Sequence, residues 1–207
     1  MPPSASPPAH RGRPRSEAAE SHAAILDSVY ELLQEKSVRD LTMDAVAKRA
    51  CVGRPTLYKW WPTKAALVFA LFHERIVDNT EMPTFPTTEA YIRHNVQRLI
   101  RDFNGLFGKV MADLIAEGQS EPNVLRELYD QHLSSRRAAG IAAIEHGKST
   151  GEFAPNTDPE LLIDAIFGPI YFRLLLRQSP LTEQYGTALI DQVLRGVMPT
   201  GALPLKD

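Results

Sequence analysis

The chain has 207 residues, 43% of them hydrophobic, which suffices for one large domain or for a small head on a larger body with its own core. Its single cysteine, Cys51, excludes an intramolecular disulfide and fits a reducing compartment. No apolar run approaches the ~20 residues that cross a bilayer, and the first sixteen residues lack the hydrophobic stretch of a signal peptide. A soluble, cytoplasmic protein is expected, with no membrane association and no cofactor.

The formal charge of −2 is unevenly spread. Residues 1–79 carry 11 basic and 9 acidic side chains, whereas residues 80–207 carry 12 and 16. Within 45–73 there are five cations (Lys48, Arg49, Arg54, Lys59, Lys64) and no acid. A positive patch on an acidic chain works against self-repulsion, and polyanionic DNA is the partner that accounts for it.

Residues 1–16 are rich in Pro, Ser and Ala without apolar periodicity and read as a disordered basic arm. The arm contains Arg11-Gly-Arg13-Pro-Arg15, similar to an AT-hook core; its arginines either enter an A·T minor groove or add only nonspecific attraction. Ala24, Ile25, Val29, Leu32 and Leu33 recur at helical spacing and predict a helix over 17–36. Thr42 caps a helix over 42–50, Gly53 opens one over 54–60, and Thr63 caps one over 64–79. Two prolines within 81–88 mark a boundary, which divides the chain into a DNA-binding head (17–80) and a body (81–207). The body shows apolar stripes over 92–103 and 107–115, a long helix reaching residue 149, and two last helices over 158–178 and 182–197. No convincing strand alternation is present. The expectation is an all-α protein of about nine helices: a three-helix helix-turn-helix head and a larger helical bundle.

In a helix-turn-helix the first helix packs inward, the turn is tight, and the second helix offers its start to base edges. Val46, Ala47 and Ala50 suit the first task. Leu57 and Trp61, four apart, form the buried face of the second helix, which leaves Arg54, Thr56, Tyr58, Lys59 and Trp60 on its other faces. Pro55 falls in the first turn, where its missing N–H costs little. The spacing of Thr42, Val46, Ala47, Ala50, Val52, Leu57, Tyr58, Thr63, Lys64 and Leu67 resembles the TetR family of transcriptional repressors. Residues 158–173 are similar to that family's C-terminal ligand and dimer domain. Three positions depart from the family pattern: Cys51 replaces the turn glycine, Gly53 the serine cap, and Trp61 a phenylalanine. Cys51 puts a Cβ on a left-handed turn residue, at a cost of roughly 1 kcal/mol.

The resemblance implies roles for individual residues. Thr42 and Lys64 would hold phosphates, Gly53 would free backbone N–H groups for another, and Tyr58 would lean on the DNA backbone beside Pro55. Arg54, Thr56 and Lys59 would meet base edges, with Arg54 reading guanine. Trp60 would pack on a sugar or thymine methyl. Tyr58 and Trp60 could instead be plain packing aromatics.

Residues 161–176 are apolar nearly all round, so this helix needs cover that one chain does not offer. Pairing of the last two helices with those of a second copy would supply it, giving an Ω-shaped homodimer that spaces its two heads for a palindromic operator on double-stranded DNA; a monomer with a larger core is the alternative. Gly168 would let backbones approach. The resemblance also implies a small apolar or aromatic inducer that releases the repressor from its operator. Phe103, Phe107, Met111, Tyr129, His132, Phe167 and Tyr171 are candidate lining residues, and each of them could equally be core. A dimeric DNA binder without a small ligand and an all-helical enzyme with an incidental basic head are the competing readings. The scattered histidines lack the spacing of a helical metal site, and Gly147-Lys-Ser-Thr150 lacks the preceding strand and glycine of a phosphate loop.

Overall fold

The computed structural model describes residues 15–76 and 85–196. Its head consists of α1 (Arg15–Glu35), α2 (Met43–Arg49) and α3 (Arg54–Trp60). Next comes α4 (Lys64–Leu71), which widens into a π-helical turn over Phe72–Ile76. The body holds α5 (Thr88–Phe103), α6 (Leu106–Gly118), α7 (Pro122–Leu128), a second π turn (Tyr129–Leu133), α8 (Ser134–Ser149), α9 (Pro159–Leu176) and α10 (Glu183–Leu194). The backbone stays right-handed helical from α7 through the second π turn into α8. Among the described residues the fold is therefore nine helical rods and no strand. Arg15 and Ser16 already belong to α1, two residues earlier than the periodicity suggested. The expected head–body boundary at 80/81, like residues 1–14 of the arm, lies outside the described residues.

Local chemistry accounts for the helix starts. The hydroxyls of Thr42, Thr63, Thr87 and Thr182 accept the N–H groups of Ala45 (3.2 Å), Ala66 (3.0 Å), Ala90 (3.1 Å) and Tyr185 (3.1 Å). Asp158 does the same for α9, accepting from Glu160 and Leu161. At the α5–α6 corner Gly108 is a steric necessity, since a Cβ there would stand 2.0 Å from the carbonyl oxygen of Phe103.

Apolar residues of α4 (Leu67, Val68, Phe69, Leu71) and Phe72 are buried, which places this helix between head and body. Helix α6 makes the polar part of the junction, with three residues spaced four apart on one face. Lys109 Nζ donates to the carbonyls of Leu33 (2.7 Å) and Lys36 (2.8 Å) at the end of α1. Asp113 accepts the N–H of Val38 at 3.0 Å. Glu117 pairs with Lys64 at 3.0 Å, both side chains being largely buried.

Among the described residues nothing covers the outer face of α9. Leu161, Phe172, Leu175 and Leu176 are exposed along it, and nothing lies within 4 Å of the position a Cβ would take on Gly168. No described helix is long and apolar enough to cross a membrane.

Candidate nucleic-acid interface

Helices α2 and α3 meet through a tight turn in which Cys51 adopts φ 55°, the left-handed conformation its position requires. Val52 N–H closes the turn on the Ala47 carbonyl at 3.0 Å. Val46 and Ala47 are buried beneath α2, whereas Ala50 is half-buried. On α3, Leu57 is fully buried and Trp61 nearly so, which anchors one face in the head core. The opposite face is open: Arg54, Pro55 and Lys59 are exposed, Tyr58 is 51% exposed and Trp60 43%, and Thr56 is half-buried. Gly53 caps α3 with no side-chain bond; Pro55 has no N–H and Thr56 N–H donates to the Gly53 carbonyl at 3.0 Å, so of the first amides of the helix only that of Arg54 is left for an anion. Thr42 is exposed; its oxygen accepts the Ala45 N–H, and the hydroxyl proton stays free to donate.

Not every cation of the patch is presented. Arg54 is ion-paired with Asp44 across the turn, both side chains being exposed. Arg49 pairs with Glu35 (3.0 Å) and Glu31 (3.5 Å) and so ties α2 to α1. Its hydrogen bond and charge hold the Glu35 carboxyl below its ordinary range. Lys64 is taken up by Glu117, and its Nζ also lies 3.5 Å from the Arg39 carbonyl. The largely buried carboxylate of Glu117 thus holds Lys64 at the head–body junction. Trp60 is partly a packing residue: its ring meets the edge of His22 at 5.0 Å, and the same His22 contacts Trp61 at 4.7 Å. Arg11 and Arg13 lie outside the described residues, and Arg15 is known only by its place in α1.

In the body, five of the seven candidate lining residues converge. Phe103 stacks on Phe107 (5.7 Å) and meets Tyr171 edge-on (5.1 Å), and Phe107 lies 5.3 Å from His132. Met111 is fully buried in the same core. Phe167 packs half-buried on that core without a ring partner among the described residues. Tyr129 departs from expectation: it is 49% exposed, because Leu128 fills the buried slot one turn before His132. Sequence reasoning missed Phe72, whose ring lies 4.8 Å from Phe107 and 6.0 Å from His132 and so carries the cluster into the end of α4. His73, beside it, hydrogen-bonds the Gln131 carbonyl at 3.0 Å, joining the two π turns. His132 Nδ1 is buried without a partner among the described residues. Burial, then the charges of Arg136 and His73, pushes the His132 pKa down to about 3, so the ring is neutral near pH 7. Burial likewise raises Tyr171 to about 12, opposed by the Arg136 charge.

A capped helix, a left-handed turn and a second helix with an open polar-aromatic face define the chain as a helix-turn-helix DNA-binding regulator. Two family models match: "Bacterial regulatory proteins, tetR family" over residues 25–71, and "Tetracyclin repressor-like, C-terminal domain" over residues 86–193. The chain belongs to the TetR family, whose members are transcriptional regulators and not enzymes. It is 34% identical over 192 residues to the uncharacterized HTH-type transcriptional regulator YdeS of Bacillus subtilis, covering 93% of this chain and 96% of that one. The solved TetR-family regulator SCO0332 matches with a TM-score of 0.60 and 28% identity over 87% of this chain and all of that one. FadR of Bacillus subtilis, solved with stearoyl-CoA, shares the fold with a TM-score of 0.67 at 17% identity, over 84% of this chain and 98% of FadR.

Proposed function

We propose that this regulator is a homodimeric repressor that binds a palindromic operator and is released by a small molecule bound in the body. It would work in the bacterial cytoplasm, on nucleoid DNA. The carrying observation is the open face of α3: Arg54, Lys59, Tyr58 and Trp60 are exposed above a helix whose other face is locked by Leu57 and Trp61. Thr42 and the α3 start, with Gly53 and Pro55, would take phosphates, Arg54, Thr56 and Lys59 would meet base edges, and Tyr58 and Trp60 would pack on the backbone and sugars. The exposed α9 face supports dimerisation through the last two helices, giving an Ω-shaped pair with heads about one DNA turn, ~34 Å, apart.

Two features support ligand control. The unpartnered Nδ1 of His132 sits inside an aromatic cluster that continues into α4 through Phe72. FadR, which shares the fold, was solved with an acyl-CoA. An aromatic or apolar molecule among Phe103, Phe107, Met111, Phe167 and Tyr171 would displace Phe72 and hence α4, shifting the heads by favouring a non-binding state by a few kcal/mol.

The test is selection of bound fragments from random duplex DNA, followed by titration of the Arg54→Ala and Lys59→Ala variants. Each variant is expected to lose about 1–3 kcal/mol of specific binding at the base it reads. Wild-type affinity across both variants would overturn the assignment.

A further inference from the structure

Where α5 turns into α6, the chain leaves a cleft of about 470 Å³, closed on its far side by the α9–α10 loop. Phe103, Leu174 and Leu181 give it apolar walls; Lys109, Arg173 and Arg177 give it three cations, and no acid lines it. This runs against the body's composition, which is richer in acids than in bases. None of the three cations has an ion-pair partner among the described residues.

Each cation is held differently. Arg173 is fixed, with its guanidinium 3.4 Å from the centroid of the Tyr185 ring and one N–H donated to the Pro180 carbonyl at 3.0 Å. Lys109 spends two protons on the last carbonyls of α1, at 2.7 and 2.8 Å, and retains a third. Arg177 ends α9 at φ 51°, an unfavourable backbone for a side chain, and its guanidinium is exposed with no hydrogen bond among the described residues. Gly105, also lining the cleft, starts α6 without a side-chain cap, so the first amides of that helix add to the positive field.

We propose that this cleft binds a small organic anion, a carboxylate or phosphate head on a short apolar tail. The head sits between Arg177 and Lys109 and the tail lies on Phe103, Leu174 and Leu181. The volume suits a small organic ligand, and the anion relieves repulsion among three cations gathered without a counter-charge. The cleft borders the aromatic cluster through Phe103 but is a separate site. Arg173 lies roughly 110° around α9 from the exposed apolar face. Because Lys109 also grips the end of α1, occupancy bears directly on the head–body junction.

Isothermal titration of the full chain with phenyl phosphate, benzoate and neutral benzyl alcohol at matched ionic strength tests this. At least one anion should bind saturably, and the two anion arms identify the head group; benzyl alcohol should not bind. Arg177→Gly, which also relaxes the left-handed backbone, should weaken anion binding at least about tenfold, Arg177→Lys should restore part of it, and Lys59→Ala on the head should leave it unchanged. Absence of saturable binding by both anions, binding indifferent to Arg177→Gly, or binding abolished by Lys59→Ala would each overturn the proposal. Operator binding by the wild-type chain is read independently, so failure here does not touch the regulator assignment.

Discussion

His132 lies among Phe72, Phe107 and His73, with its pKa pushed down to about 3 chiefly by burial. The unfolded histidine titrates near its ordinary value of about 6.5. Between those values the unfolded chain holds a proton that the folded chain does not, so the unfolded state gains as the pH drops. This contribution to stability is complete above pH ~6.5 and is lost progressively below it; at pH 5 the loss is about 2 kcal/mol. Urea midpoints at pH 7.5 and pH 5 should separate by that much more in the wild type than in His132→Gln, and equal slopes would show that His132 is not the group responsible. Cys51 offers a second test at this scale. Its φ of 55° disfavours any side chain, so Cys51→Gly should raise stability by up to about 1 kcal/mol, less what glycine adds to the freedom of the unfolded chain. Unfolding in urea measures this, and operator affinity should be unchanged.

At the scale of elements, the head is joined to the body along one face of α6. Asp113 caps the Val38 N–H, and Asp113→Ala should cost about 1–2 kcal/mol of stability by leaving a part-buried donor unpaired. Hydrogen exchange should show the loss concentrated at the α1–α2 connection; uniform loosening would contradict the assignment. The proposed DNA role of the basic arm makes its own prediction. Deleting residues 1–16 removes Arg11, Arg13 and Arg15 and should flatten the log–log salt dependence of operator binding by roughly 2–3; an unaltered slope would exclude phosphate contacts by the arm. The helices themselves were legible in the sequence because their signals are local: threonine caps at 42 and 63, the apolar repeat over 24–33, and the Leu57/Trp61 spacing. The partners of the candidate site were not. Asp44 meeting Arg54 and Glu117 meeting Lys64 depend on how helices approach in space, and nothing in the spacing of either pair encodes that approach. The burial of Leu128 in place of Tyr129 is similarly a choice between two adjacent apolar candidates on one helix, settled by the neighbours.

For the molecule as a whole, the proposed assembly rests on the exposed α9 face. Leu161, Phe172, Leu175 and Leu176 form a ridge that a monomer would leave in water. Phe172→Glu should place a charge in the centre of the joint, yield single chains by light scattering and abolish operator binding while leaving the helical circular dichroism intact; a dimeric Phe172→Glu protein would move the interface elsewhere. Two-fold symmetry also changes what the Asp44–Arg54 pair means. If Arg54 reads bases as proposed, the carboxylate acts as a resident decoy: each guanidinium already has company before any base is offered. An exposed pair is worth at most about 1 kcal/mol, but a dimer must open two of them on one duplex, so the filter is applied twice and reaches roughly thirtyfold. Asp44→Asn should therefore tighten binding to every duplex while narrowing the gap between the operator and random DNA.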